Sequence, residues 1–337
     1  MRERRSDYDV TNTVQVSDPA AVCAAVAEMY SALFPRANFL PIERAFREFE
    51  RAFRGHADGF HGVETTYHDL QHTLDVTLAM MRLIDGHERA DDTHGRKLGP
   101  ERAAVGTITA LFHDAGYLRK THDTRHRHGA EYTRVHVTRS ARMLEELLPA
   151  LGFAQAAPIA AEMVHFTGYE RPFDAIMIAD PLWVKTGHLL GTADMLAQMA
   201  DRCYLEKCRD RLYQEFEMGG IARMRAPDGR EVINYRSAKD LLQKTPDFCN
   251  ATLDRRLGEK FGHAYRYMSV HFGGDNLYLE AIDKSLGHLR HVITQDRWDL
   301  LRRKPLCYNI DHFRTTAARS SHLVERSVPR VSSLDIQ

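Results

Sequence analysis

The sequence predicts an all-α protein, one large helical domain carrying a single small β-hairpin insertion. Apolar residues recur at helical spacing along most of the chain, and Pro and Gly punctuate the ends of those runs. One short stretch, RMRAPDGREVINY, alternates instead around a Pro227, Asp228, Gly229 turn and reads as the hairpin.

Each element follows from its own signals. Asp18 before Pro19 reads as an N-cap with Pro at the first helical position, where the missing N–H costs nothing, and AAVCAAVAEMYSALF continues with helical periodicity. Pro41 opens PIERAFREFERAFRG, which Gly55 closes. A third helix is expected from about Thr66 to Asp85, with Leu70, Leu74, Leu78 and Met81 on one side and Gly86 as its stop. Pro100 opens PERAAVGTITALFHDAG, ended by Gly116. GAEYTRVHVTRSARMLEELLPALG, PIAAEMVHF and GTADMLAQMADRCYLEKCRDRLYQEFEMGG continue the pattern ahead of the hairpin. KDLLQKTPDFCNATLDRRLGEKFG, HAYRYMSVHFGG and NLYLEAIDKSLGHLRHVI resume it afterwards. With no internal repeat and no long linker, residues 19–303 read as one domain, flanked by an N-terminal arm (1–18) and a C-terminal tail (304–337) expected to be of low order.

Composition narrows the function. Of 337 residues, 43% are hydrophobic and 27% charged, ordinary for a folded globular protein. Lys plus Arg and Asp plus Glu both number 46, so nothing favours a nucleic-acid polymer or a membrane surface as partner. The five cysteines are scattered without a CxxC, which argues against a disulfide framework and a thiolate zinc site. The charged start MRERRSDYDV lacks a secretory core, and AAVCAAVA is too short to cross a bilayer, so a cytoplasmic protein is expected, with a homodimer left open.

The unusual number is 19 histidines, concentrated between His56 and His136. In YHDLQHTLDV, His68 and His72 stand four apart, so on a helix they share a face, with Asp75 close to it. Alone, that spacing describes an exposed polar pair equally well. In ALFHDAGY, the His113-Asp114 doublet ends an apolar helix, where a buried carboxylate needs a partner and a divalent cation is a strong one. Asp194 in GTADMLAQMADR is a third candidate, placed near a helix start where a carboxylate also serves as a cap.

The order of these motifs resembles the HD superfamily of metal-dependent phosphohydrolases, and the motifs themselves are most similar to the catalytic domains of class I cyclic nucleotide phosphodiesterases. YHDLQHTLDV looks like their His-x-x-x-His-x-x-Asp-Val signature, ALFHDAGY like their metal-binding doublet, and TAD with the helix ending DRLYQEFE like their distal Asp helix. The resemblance spans roughly Tyr67 to Met218 and implies an HD-domain helical bundle. It implies that His72, His113, Asp114 and Asp194 hold a first metal, that Asp114 bridges to a second, and that His68 protonates the leaving oxygen. One or two divalent ions (Zn, Mn, Fe or Mg) would supply an activated hydroxide to a small phosphorylated substrate, a cyclic nucleotide among the candidates. His136 and His165 match places where such proteins carry metal-proximal histidines, and each is equally a core histidine bonded to a carbonyl. Glu131, His122, His126 and His128 read as solvated.

The pattern departs in two places. Tyr117 stands where those enzymes carry a further histidine behind the metal ligands, and Gln243 lies outside any Gln-x-Gly-Phe base-reading segment. Tyr235, Phe248, Tyr265 and Phe272 fit either an aromatic wall or ordinary core. Two other readings stay open: an HD-fold diiron oxygenase, for which His136 and His165 would both bind a second iron, and a non-catalytic nucleotide-binding HD module.

Overall fold

The structure, a computed structural model, describes residues 4–91, 96–226 and 228–316. It is all-α apart from one hairpin. Helices α1 (Pro19–Leu33), α2 (Leu40–Phe53), α3 (Leu70–Arg89), α4 (Gly99–Phe112), α5 (His136–Ala150), α6 (Ala157–Met163) and α7 (Pro181–Ala200) come first. Short helices α8 (Tyr204–Lys207) and α9 (Tyr213–Met218) flank a π-helical segment, Cys208–Leu212. Strands β1 (Arg223–Arg225) and β2 (Glu231–Ile233) pair antiparallel with Met224 opposite Val232. Asp228 and Gly229 turn the hairpin as expected, Gly229 at φ +85°, while Pro227 lies outside the described residues. Helices α10 (Ala238–Ala251), α11 (Tyr267–Phe272) and α12 (Leu277–Thr294) complete the bundle. Among the described residues, no helix is long and apolar enough to cross a membrane.

Helix α3 is the axis. Every residue from Leu70 to His87 is buried, and α1, α4, α7 and α11 pack around it. Its polar residues must therefore find partners inside the protein. Arg82 pairs with Asp9 at 2.5 Å and donates to the Tyr278 hydroxyl, and Asp85 meets His271 at 2.6 Å.

Several expectations are corrected. The third helix starts at Leu70, capped by the Asp69 carboxylate, so His68 precedes it and the one-turn helical argument for His68 and His72 does not hold. Gly86 does not stop that helix. It sits inside α3, where a Cβ would lie 1.9 Å from the Tyr267 carbonyl oxygen, so glycine is required for α11 to pack this closely. Asp194 is deep inside α7, which begins at Pro181 after an Asp180 cap, so neither capping nor dipole compensation explains its burial. The N-terminal arm is ordered against the core from residue 4 onward, because Asp9 is fully buried against Arg82 and Val16 is fully buried. The tail also packs as far as it is described: the Ile310 N–H donates to the Val63 carbonyl and the Tyr308 N–H to Asp69.

Candidate metal centre

Helices α3, α4 and α7 pack on one another, which brings the first turn of α3, the end of α4 and the interior of α7 to one place. His72, His113, Asp114 and Asp194 meet there, all buried. His72 Nε2 lies 3.4 Å from Asp114 Oδ2 and 3.6 Å from Asp194 Oδ1. His113 Nε2 lies 3.2 Å and 3.8 Å from the same two oxygens. Ligand atoms of His72, His113 and Asp194 all fall within 4.8 Å of one another.

The local chain explains this aim. Helix α4 ends at Phe112, and the backbone turns through Asp114 into a 3₁₀ turn, Ala115–Tyr117, which lets adjacent side chains converge. Gly116 permits it, since a Cβ there would sit 1.8 Å from the His136 carbonyl oxygen. His113 Nδ1 lies 2.7 Å from the Ala110 carbonyl, which can only accept, so Nδ1 carries the proton and Nε2 offers its lone pair to the centre.

Whether these residues suit a cation can be tested on their unmet bonds. His113 Nε2 and Asp114 Oδ2 are both buried without a hydrogen-bond partner, although they face each other at 3.2 Å. Two lone-pair atoms at that separation need a proton or a cation between them. Two imidazole nitrogens and two carboxylates are a donor set that suits Zn, Mn or Fe, so the fit is good. Protons take the place of a cation when none is bound. Burial opposes charge on His113, but the Asp114 carboxylate outweighs it and pushes the imidazole up to about 9. Burial likewise opposes the Asp114 charge, and His113 and His72 hold that carboxyl well below the usual range.

His136, at the start of α5, is brought to the same carboxylate from the other side. Its Nδ1 donates to the Thr133 carbonyl at 2.8 Å, and its Nε2 stands 3.5 Å from Asp114 Oδ1. Burial keeps His136 below the ordinary histidine range, the neutral form a ligand needs. His165 is not brought in. It is buried in the 3₁₀ turn Val164–Phe166, does not line the cavity, and answers to Arg171, Glu170 and Glu162 rather than to Asp114. His128 caps the turn Gly129–Tyr132 and His126 pairs with Asp123 at 2.9 Å, so these two are structural.

His68 stands beside the centre, its ring 5.7 Å from that of His72. Its Nδ1 meets Glu215 Oε2 at 2.6 Å. Fully buried Glu215 also accepts the Thr66 and Tyr67 N–H groups at 2.5 and 2.6 Å. Burial works against a charged His68, yet Glu215 overcomes it and raises the imidazole above its ordinary value. Tyr117 stacks against both His68 and His136, with centroids 4.7 and 4.3 Å away, and so fixes both ring planes. Sequence reasoning missed Glu215, because nothing local distinguishes it from Glu217 in DRLYQEFE. The widened Cys208–Leu212 turn decides which face of α9 looks inward. It also missed Gln198, one turn beyond Asp194, whose Oε1 accepts the Tyr67 hydroxyl at 3.1 Å at the cavity wall.

A cavity of about 550 Å³ opens from the centre and is walled farther out by Phe216, Met224, Tyr235 and Phe248. Of the four aromatics considered from sequence, Tyr235 and Phe248 line it, and Tyr265 and Phe272 pack elsewhere, near His263 and Tyr278. Comparison with family models, with curated proteins and with solved structures finds no match to this chain.

Proposed function

We propose that this chain is an HD-type, divalent-metal-dependent phosphohydrolase that cleaves a phosphoester of a small molecule, in the manner of a phosphodiesterase. The observation that carries the reading is the buried group His72, His113, Asp114 and Asp194, with two of its lone-pair atoms facing each other unpartnered. His72, His113, Asp114 and Asp194 would hold a first cation, and Asp114 with His136 would hold a second. When bound, such cations supply Lewis acidity to a phosphoryl oxygen and lower the pKa of water near phosphorus.

The remaining chemistry belongs to side chains. As water oxygen bonds to phosphorus it gives up a proton to solvent, the bond to the leaving alcohol breaks, and the alcohol oxygen takes the proton of His68 Nε2, which a proton from solvent then restores. Glu215, held charged by its contact with His68 and two backbone N–H groups, keeps that proton on the imidazole until then. The Tyr117 ring restricts the direction in which His68 delivers it. The dioxygen-activating alternative would be favoured by His136 and His165 on a common second iron, and His165 does not line the cavity that His136 lines. A non-catalytic module has no need of so many costly buried polar groups gathered at one place.

The test is metal content and turnover together. Purified protein should carry about one to two equivalents of transition metal, and Asp114→Ala should lose both the metal and hydrolysis of bis-p-nitrophenyl phosphate. Full hydrolytic activity in Asp114→Ala would reject the assignment.

A further inference from the structure

We infer that the ester taken by this site carries an apolar alcohol, an alkyl chain or a plain aryl group, in place of a nucleoside. The inference rests on the hydrolase reading above for the phosphoryl end and on the far half of the cavity for the rest. That half lies between α7, the Cys208–Leu212 turn, the hairpin and α10, and Met195, Leu212, Phe216, Met224, Tyr235 and Phe248 form its walls. Phe216 and Tyr235 stack on each other at 5.6 Å and 19°, so they present one continuous apolar wall.

Most polar side chains on these walls are already engaged within the protein, the Tyr235 and Tyr169 hydroxyls excepted. The Thr245 hydroxyl donates to the Leu241 carbonyl at 2.9 Å, and the Tyr204 hydroxyl lies against Cys249 Sγ at 3.8 Å. Lys244 Nζ donates to the Asn234 carbonyl at 2.7 Å and to Asp240 at 3.0 Å. Gln198 Oε1 is taken by the Tyr67 hydroxyl, and its Nε2 lies 3.5 Å from Met195 Sδ. Arg134, at the rim, donates to the Gly220 carbonyl. A purine or pyrimidine brings several donors and acceptors of its own, and each one buried unmet weakens binding about tenfold. An alkyl chain brings none and gains about three- to fourfold for every methylene buried. The rim suits such a ligand as well, since Tyr169 and Phe248 are 71% and 37% exposed beside the opening.

The experiment uses the full chain loaded with Mn²⁺. The rate is followed on 4-nitrophenyl alkyl phosphodiesters from methyl to octyl, with adenosine 3′,5′-cyclic monophosphate alongside. Binding is measured separately, by calorimetry with methylphosphonate and octylphosphonate. The expected result is kcat/KM rising about threefold per methylene over the first several carbons, the octyl ester preferred over the cyclic nucleotide, and octylphosphonate binding with a negative heat-capacity change. Met224→Gln, on the exposed hairpin, and Phe248→Asn should each compress the octyl-to-methyl ratio about tenfold. Two variants on separate elements keep the test alive should one fail to fold. Hydrolysis that is flat in chain length, or that favours the cyclic nucleotide, overturns this inference and leaves the hydrolase reading standing. Tight octylphosphonate binding without hydrolysis of any ester upholds the apolar chamber and overturns the hydrolase reading. Neither binding nor hydrolysis overturns both.

Discussion

Replacing Glu215 by Gln removes one charge from the centre and little else. Glu215 Oε1 accepts the Thr66 and Tyr67 N–H groups at 2.5 and 2.6 Å, a task an amide oxygen also performs. Oε2 faces His68 Nδ1 at 2.6 Å, and there the amide presents an N–H. His68 then prefers the neutral form, accepting at Nδ1, and the proton left on Nε2 belongs to a neutral imidazole, a far weaker acid. A charge-assisted hydrogen bond of this kind is worth about 1.5–3 kcal/mol, which corresponds to about a 10- to 150-fold loss of rate wherever proton donation limits turnover. The assay compares diesters with poor and good leaving groups, 4-nitrophenyl against 2,4-dinitrophenyl, over a pH series. The loss should be large for the poor leaving group and small for the good one, with metal content unchanged. Because Glu215 raises His68, the alkaline limb of the rate profile should move to lower pH in Glu215→Gln. His68→Ala should fall about 10²-fold, and the double variant should be no slower than His68→Ala alone. Equal losses on both leaving groups, or an unmoved alkaline limb, would refute the proton-donor role.

Three further outcomes follow from the same geometry. With no cation bound, His113 is raised to about 9, so its contribution to stability is full below about 6.5 and is lost as pH climbs toward 9. A cation needs the neutral imidazole, so the gap in melting temperature between Mn²⁺-loaded and chelator-treated protein should widen across that window, and a constant gap would contradict it. Asp75 is pushed up to about 7 by burial, with one carboxylate oxygen lacking a partner. Ionising it therefore costs stability from about pH 4 upward until the folded-state value is passed, and Asp75→Asn should stabilise by roughly 4 kcal/mol at pH 8 and by little at pH 4 in urea titrations. Gly116→Ala should destabilise by about 3 kcal/mol or more, because its Cβ would fall 1.8 Å from the His136 carbonyl oxygen. Denaturation midpoints measure this, and a shift of only a few tenths would show that α5 yields easily.

The all-α class, the hairpin and most helix starts were legible because capping, proline placement and apolar period are local properties of the chain. Asp18-Pro19 does open α1, and RMRAPDGREVINY does form the strand pair. The same signal at Asp180-Pro181 opens α7, and it was overlooked because GTADMLAQMADR draws attention to a later start. Gly86 shows the limit of punctuation: its role is a close approach to Tyr267, which no window of sequence around it contains.

His72, His113, Asp114 and Asp194 stand out in the sequence because polar side chains in apolar helices demand partners, and that demand is written locally. Which partners answer is not. Only the packing of α3, α4 and α7 brings the four together, and only a chain reversal far downstream sets Glu215 against His68. His136 and His165 looked alike as residues in helical context, and the fold separates them, setting His136 Nε2 against Asp114 while His165 stays off the cavity wall. Residue chemistry and spacing determined that buried charges would need compensation; distance in three dimensions, which sequence separation does not constrain, decided where it came from.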